Sequence, residues 1–175
     1  MPMINQPAPL FTTQAVYDGG DVKEVSLQDY KGKWVVLFFY PLDFTLVCPT
    51  ELTQFREYIS DFKALGAAVF GCSVDSVHSH KRWLRDDLGN LGYPLISDLT
   101  KRIAKDYGVL IEERGIATRA TFIIDPDQKL QFIGIHNTAV GRDATEILRV
   151  LEACQSGELC QAGWKKGDQH LLPLK

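Results

Sequence analysis

The sequence has little of several features that would assign a protein to a special class. Its 175 residues include only four cysteines and four histidines, and no Cys-x-x-C pair occurs. The missing pair argues against the simplest zinc and dithiol sites, and we expect neither a metal nor an organic cofactor. No apolar run approaches the roughly 20 residues that span a bilayer. The first residues, MPMINQPAPLF, lack the charged and apolar regions of a signal peptide, so we expect a cytoplasmic or comparable location.

An excess of positive charge is also missing. The formal net charge is -3, which argues against nucleic acid as a partner. The apolar fraction of 45% and the charged fraction of 23% are ordinary for a globular protein. A chain of this length buries a sizeable core, and no linker or repeat divides it. We therefore predict a single domain over residues 1–175.

Apolar patterning predicts strands that alternate with helices. The run KWVVLFFY is typical of a strand buried on both faces, and Leu52, Phe55, Ile59 and Phe62 form one apolar helical stripe. The predicted strands are 33–40, 67–75 and 93–98, the helices are 49–66, 76–89, 101–107 and 141–155, and a hairpin covers 120–136 with its turn at 125–128. Residues 156–175 are predicted to form an irregular tail. This order indicates an α/β protein with a thioredoxin-like fold, in which helices flank a central mixed β-sheet.

Cys48 lies where the first predicted strand gives way to the first long helix. A helix N-terminus favours a thiolate through its unpaired N–H groups and its dipole, and the thiolate is the reactive form of cysteine. Pro49 suits the first helical turn, Pro41 ends the strand, and Thr45 places a hydroxyl three residues before the sulfur. An isolated cysteine is often buried and inert. The convergence of these residues favours a reactive thiol over a structural one.

Three segments resemble the peroxiredoxin family. PLDFTLVCPTE is similar to the motif P-x-x-x-[TS]-x-x-C, with Pro41, Thr45 and Cys48 in register. RATFIIDP resembles the strand that carries the family's active-site arginine, here Arg119, and GELCQAGWKKGD resembles the segment of its resolving cysteine, here Cys160. The resemblance covers nearly the whole chain and is greatest to the typical two-cysteine or alkyl hydroperoxide reductase C branch.

The resemblance implies a thiol-dependent peroxidase. Cys48 would attack hydrogen peroxide or an organic hydroperoxide and become a sulfenic acid. Arg119 would stabilise the thiolate and the peroxide oxygens, Thr45 would hold the peroxide in line, and Pro41 would shield the site. The resemblance assigns Glu51 and Arg142 supporting roles. The alternatives are a first-turn acid for Glu51 and a solvated cation for Arg142.

The resemblance also implies how Cys48 is regenerated. Its sulfenic acid would form a disulfide with Cys160 of the partner subunit, which implies a homodimer, often within a ring of dimers such as a decamer. A thioredoxin-like or dedicated disulfide reductase would then reduce that disulfide. Cys72 and Cys154 are interpreted as small core residues.

The sequence is also compatible with functions other than peroxide reduction. A holdase chaperone or a redox-relay protein is compatible with the same motifs. A cysteine hydrolase would need a base near the nucleophile, and the available histidines are His78, His80, His136 and His170.

The sequence departs from the family pattern at two places. Leu46 replaces a common aromatic residue, and the loop at 88–94 matches only partly a Gly-Gly-Leu-Gly segment of relatives that over-oxidise easily. We expect fast local unfolding here, so that disulfide formation outruns further oxidation.

Overall fold

A seven-stranded mixed sheet forms the centre of the fold. The computed structural model describes residues 2–172. Its strands are β1 (Thr12–Val16), β2 (Val22–Ser26), β3 (Trp34–Phe39), β4 (Ala67–Ser73), β5 (Leu95–Ser97), β6 (Leu110–Ile111), β7 (Ile116–Ala117), β8 (Arg119–Ile124) and β9 (Leu130–His136). The sheet order is β2-β1-β5-β4-β3-β8-β9, and β6 with β7 forms a separate small hairpin. Strands β3, β4 and β5 are parallel neighbours, whereas β3 and β8 are antiparallel.

Helices cover the two faces of this sheet. They are α1 (Cys48–Glu57), α2 (Ile59–Ala64), α3 (Val77–Trp83), α4 (Arg102–Asp106) and α5 (Ala144–Ser156). A π turn over Leu84–Leu88 continues α3, and short 3-10 turns occupy Asp18–Gly20 and Leu27–Tyr30. The predicted α/β architecture, with a central mixed sheet flanked by helices, is confirmed.

Strand β3 contributes to both cores, as its continuous apolar run predicts. Val35, Leu37 and Phe39 pack in the core on the α4 side of the sheet. Val36 and Phe38 pack in the opposite core, which also contains residues of α1, α2, α3 and α5. There the ring of Phe38 stacks on Phe55 of α1, with ring centroids 4.2 Å apart. This contact, worth about 1 kcal/mol beyond simple burial, helps to fix α1 against the C-terminal end of β3.

Several element boundaries differ from the predictions. The predicted helix 49–66 is broken at Tyr58, whose φ of -102° and ψ of 9° leave the helical region. The predicted helix 141–155 begins only at Ala144, because the side chain of Asp143 accepts a hydrogen bond from the Thr145 N–H at 2.8 Å. Strands β1 and β2 were not predicted, since β2 exposes most of its residues and lacks an apolar pattern. The strand at 33–40 and the hairpin at 120–136 are confirmed.

After α5 the chain forms turns. Residues 157–172 contain neither helix nor strand. Across residues 2–172, no helix combines the length and the apolar character that crossing a membrane requires.

Candidate functional site

The register between β3 and β8 creates the site. Phe39 pairs with Ala120, so Arg119 begins β8 beside the point where β3 ends and the chain turns towards α1. Side chains alternate between the faces of a strand. Arg119 therefore faces the same side of the sheet as Ile123, which packs in the core that contains Cys48.

Cys48 is the first residue of α1, with Pro49 next to it, as predicted. Its side chain is fully buried, at 0% exposure. The Nη1 atom of Arg119 lies 3.4 Å from the Cys48 sulfur. A guanidinium and a helix N-terminus both favour the thiolate over the thiol. Because an arginine rather than a histidine contacts the sulfur, this contact does not support the cysteine-hydrolase alternative.

Glu51 connects two buried arginines one turn into the same helix. Its Oε2 accepts a hydrogen bond of 2.5 Å from Nη1 of Arg119. Arg142 donates to Glu51 from its backbone N and its Nε, at 2.9 and 2.8 Å to Oε1, and from Nη2 at 2.9 Å to Oε2. Arg142 is neither solvated nor peripheral, because its Nη1 also donates to the carbonyls of Phe39 and Ala120 at 2.7 and 2.8 Å.

The charges of this cluster do not balance without the sulfur. Arg119 and Arg142 supply two positive charges, both at buried side chains, and Glu51 supplies one negative charge. An uncompensated buried charge is costly. A thiolate at Cys48 would make the four-residue cluster neutral. The arrangement is therefore electrostatically suited to a cysteine that works as an anion.

Two other predicted residues lie in the loop that precedes Cys48. Pro41 is buried at the end of β3. Thr45 is exposed, and its hydroxyl donates to the Leu42 carbonyl at 3.0 Å instead of bonding the Cys48 sulfur. Leu46, the departure from the family pattern, is 92% exposed. The structure thus brings Cys48 and Arg119 together but turns Thr45 towards its own loop.

Cys160 lies in the tail, half-buried against α5 of its own chain. Its sulfur is 3.4 Å from the Ser156 hydroxyl and 3.9 Å from the Ala153 carbonyl.

The four cysteines are free thiols. Cys72 is fully buried, as predicted, and burial raises its pKa well above the usual value. Cys154 is only half-buried, and burial followed by the nearby Cys160 raises its pKa.

A buried polar network beneath the loop could not be predicted from the sequence. The buried carboxylate of Asp43 accepts from the Tyr40 and Ser79 hydroxyls at 2.9 and 2.8 Å and lies 2.8 Å from Nδ1 of His80. The Asp43 N–H donates to Asp75 at 2.9 Å. The signal in the sequence was weak: an acidic residue, Asp43, lies between Pro41 and Thr45, and a histidine, His80, follows in a predicted helix.

Fold and site together define a thioredoxin-like protein with one buried thiol held against an arginine. The AhpC/TSA family profile matches residues 4–133. Peroxiredoxin prdx-2 of Caenorhabditis elegans is 49% identical over 179 residues, which cover 97% of this chain and 89% of that protein. A thioredoxin peroxidase of Trypanosoma brucei rhodesiense is 47% identical over 175 residues, covering 95% of this chain and 88% of the relative.

A solved structure with a similar fold is also a peroxiredoxin. The reduced 2-Cys peroxiredoxin of Plasmodium vivax superposes with a TM-score of 0.94 at 37% identity, covering 98% of this chain and 93% of that chain. The chain belongs to the AhpC/TSA family, the peroxiredoxins.

Proposed function

We propose that this protein is a thiol-dependent peroxidase that reduces hydrogen peroxide and organic hydroperoxides. The Cys48 thiolate attacks one oxygen of the peroxide, the O–O bond breaks, and water or an alcohol leaves after it gains a proton. Cys48 is oxidised to the sulfenic acid, and the peroxide is reduced by two electrons. The observation that carries this proposal is the charge cluster beside the Cys48 sulfur. Arg119 and Arg142 carry two positive charges there and Glu51 carries one negative charge, which leaves one positive charge for a thiolate to balance.

The surrounding residues divide the remaining work. Arg119 stabilises both the thiolate and the charge that develops on the peroxide oxygens. Thr45 holds the peroxide in line once its hydroxyl leaves the Leu42 carbonyl, and Pro41 excludes water from the strand end. Glu51 and Arg142 orient Arg119.

Full burial of Cys48 adds one requirement to this mechanism. The side chain has no exposed surface in the arrangement seen, so a local opening around Cys48 precedes its contact with a peroxide. The same opening, extended to the first turn of α1, releases Cys48 for disulfide formation. Local opening of this kind is common in loops and at helix ends.

We further propose that Cys160 of a partner subunit resolves the sulfenic acid. The half-buried position of Cys160 in a segment without helix or strand supports this role, as does the name of the Plasmodium vivax relative, a 2-Cys peroxiredoxin. The protein would then form homodimers, assembled into a ring such as a decamer. A thioredoxin-like protein or a dedicated disulfide reductase would reduce the product, and the name of the Trypanosoma relative favours a thioredoxin.

The compartment and the domain boundaries belong to the same proposal. We place the enzyme in the cytoplasm, where thiols stay reduced. We treat residues 1–175 as one domain with the tail 156–175 carrying Cys160. Cell fractionation and limited proteolysis test these two points.

Replacement of each thiol tests the function. Cys48→Ser should abolish peroxide consumption in an assay with thioredoxin, thioredoxin reductase and NADPH, and retained turnover would refute the proposal. Cys160→Ser should allow one oxidation of Cys48 without a disulfide-linked dimer on a non-reducing gel. Cys154→Ser serves as the matched control, and it should form the dimer as the wild type does.

A further inference from the structure

One arginine fastens the tail to α5. Arg149 of α5 donates from Nε and Nη2 to the two carboxylate oxygens of Glu146, both at 2.7 Å. Its remaining Nη1 donates to the Trp164 carbonyl at 2.8 Å. Such a two-point pairing with a carboxylate fixes the plane of the guanidinium. We call Glu146, Arg149 and Trp164 the tail clasp.

The tail itself is folded compactly where the clasp holds it. Trp164 is buried in an otherwise mostly exposed segment, and its ring stacks on His170 with centroids 5.2 Å apart. Its Nε1 donates to the Asp168 carbonyl at 3.3 Å, and the Asp168 carboxylate accepts from the Lys165 N–H at 2.8 Å. The segment from Trp164 to His170 is thus a small packed unit.

Cys160 lies between two fixed points. On one side is Ser156, the last residue of α5, whose hydroxyl contacts the Cys160 sulfur. On the other side, four residues further along, is Trp164 of the clasp. A disulfide requires the two sulfurs to lie about 2.05 Å apart and the two Cα atoms to lie within about 7 Å. Because Cys160 rests on its own helix and Cys48 is fully buried, Cys160 must leave α5 before it can react.

We propose that Arg149 is a positioning residue for Cys160, because the tail clasp sets how often this thiol is released. The inference rests on the proposed resolving role of Cys160. In the step concerned, the Cys160 thiolate attacks the sulfenic sulfur of the partner's Cys48. The S–S bond forms, the S–O bond breaks, and the hydroxide that leaves takes a proton to become water.

The rate of release matters because a second reaction competes with it. Until the disulfide forms, another peroxide can oxidise the sulfenic acid to sulfinic acid, which is not reversed by thiols. When the hydrogen bonds of the tail clasp are formed, Cys160 is held on α5 and the lifetime of the sulfenic acid is longer. Arg149 therefore influences the balance between turnover and inactivation without touching the peroxide.

Substitution of the clasp tests this inference. Arg149→Gln removes the guanidinium, and Glu146→Gln leaves the guanidinium but removes the charge that orients it. Arg102→Gln is the matched control, since Arg102 also pairs with an acid on its own helix, Asp106 at 3.6 Å. Stopped-flow tryptophan fluorescence measures Cys48 oxidation and disulfide formation, and intact mass measures the sulfinic form.

We expect Arg149→Gln to raise the rate of disulfide formation roughly five- to tenfold, the effect of losing one partly exposed charge-assisted hydrogen bond. Sulfinic acid per turnover should fall by a similar factor, while the rate of Cys48 oxidation stays unchanged. Glu146→Gln should give a smaller change in the same direction. Unchanged or slower disulfide formation in Arg149→Gln would overturn the inference.

A second measurement separates the clasp from the proposed function. In a Cys48→Ser background, the rate at which iodoacetamide labels Cys160 reports release of the tail without any peroxide. Faster labelling in Arg149→Gln than in Arg102→Gln supports the clasp even if Cys160 proves not to resolve Cys48. Equal labelling in the two variants refutes the clasp, whatever the outcome of the peroxidase assay.

Discussion

Arg142 donates three hydrogen bonds to Glu51, two to Oε1 and one to Oε2. Glu51 is therefore held on both oxygens and presents Oε2 to Arg119 at 2.5 Å. The Nη1 atom that makes this contact is the same atom that lies 3.4 Å from the Cys48 sulfur. The position of the Arg119 guanidinium against the Cys48 thiol thus depends on Arg142, for which no contact with that thiol is seen.

Replacement of Glu51 by glutamine should affect both stability and rate. The change removes the carboxylate that lies between the two buried guanidiniums, so that at most the Cys48 thiolate balances them, and breaking such a network costs about 3–5 kcal/mol of unfolding free energy. Arg119 would also lose its orientation, and a misplacement of about 1 Å can lower a rate about 100-fold. Urea unfolding and the rate of Cys48 oxidation measure the two effects. Glu24→Gln, on an exposed strand position, is the control, and a Glu51 variant that matches it would contradict this account.

Loss of the Asp43 carboxylate should loosen the loop that carries Thr45. Asp43→Ala removes the acceptor for Tyr40, Ser79 and His80 together, and unpaired buried donors cost about 1–3 kcal/mol each. Ser79→Ala removes one donor only, so its cost should be near 1 kcal/mol, within the range of about 0.5–1.5 for a typical hydrogen bond. Hydrogen exchange over residues 41–47 and thermal unfolding report the difference. Equal effects of the two substitutions would show that Asp43 is not the centre of the network.

The N-terminal cap of α5 should make stability depend on acid pH. Hydrogen bonds from the Thr145 hydroxyl and N–H lower the pKa of Asp143 below its ordinary value. Since the folded-state pKa is the lower one, the stabilisation is present above the unfolded pKa and is lost as pH falls through the folded pKa. Asp143→Ala should therefore cost about 1 kcal/mol at neutral pH, and the difference from wild type should shrink in acid. Unfolding curves at several pH values measure this trend, which Asp21→Ala, an exposed control, should not show.

The buried thiols should differ in reactivity although both lack exposed surface. Burial, followed by the charge of Asp98, raises the pKa of Cys72 well above its usual value, so this thiol stays neutral and inert. Cys48 lies at a helix end beside a cation and is reached by local opening. Pulsed alkylation with peptide mapping should label Cys48 in the native protein and Cys72 only as the whole domain unfolds. Labelling of both at one rate would mean that no separate opening of the loop exists.

Sequence patterns were sufficient for the central elements and for the position of Cys48 at a strand–helix junction. They could not show why Arg119 meets Cys48, because that contact depends on the pairing of Phe39 with Ala120 across two strands about 80 residues apart. The break at Tyr58 was hidden for a similar reason, since the apolar stripe continues through it while the backbone does not. The alternative of a solvated cation at Arg142 is excluded by its burial, which local charge patterns do not report because it depends on distant strands.

The antiparallel register of β8 has a consequence for how this chain tolerates insertions and deletions. A shift of one residue would turn Arg119 to the opposite face of the sheet, so a length change anywhere between Arg119 and Ile124 separates the arginine from its sulfur. The turn between β8 and β9 lies at the far end of the hairpin. There, added residues would disturb the hydrogen bonds of Gln128 with Ala8 and Leu27, but they would leave the pairing with β3, and with it the place of Arg119 beside the thiol, intact.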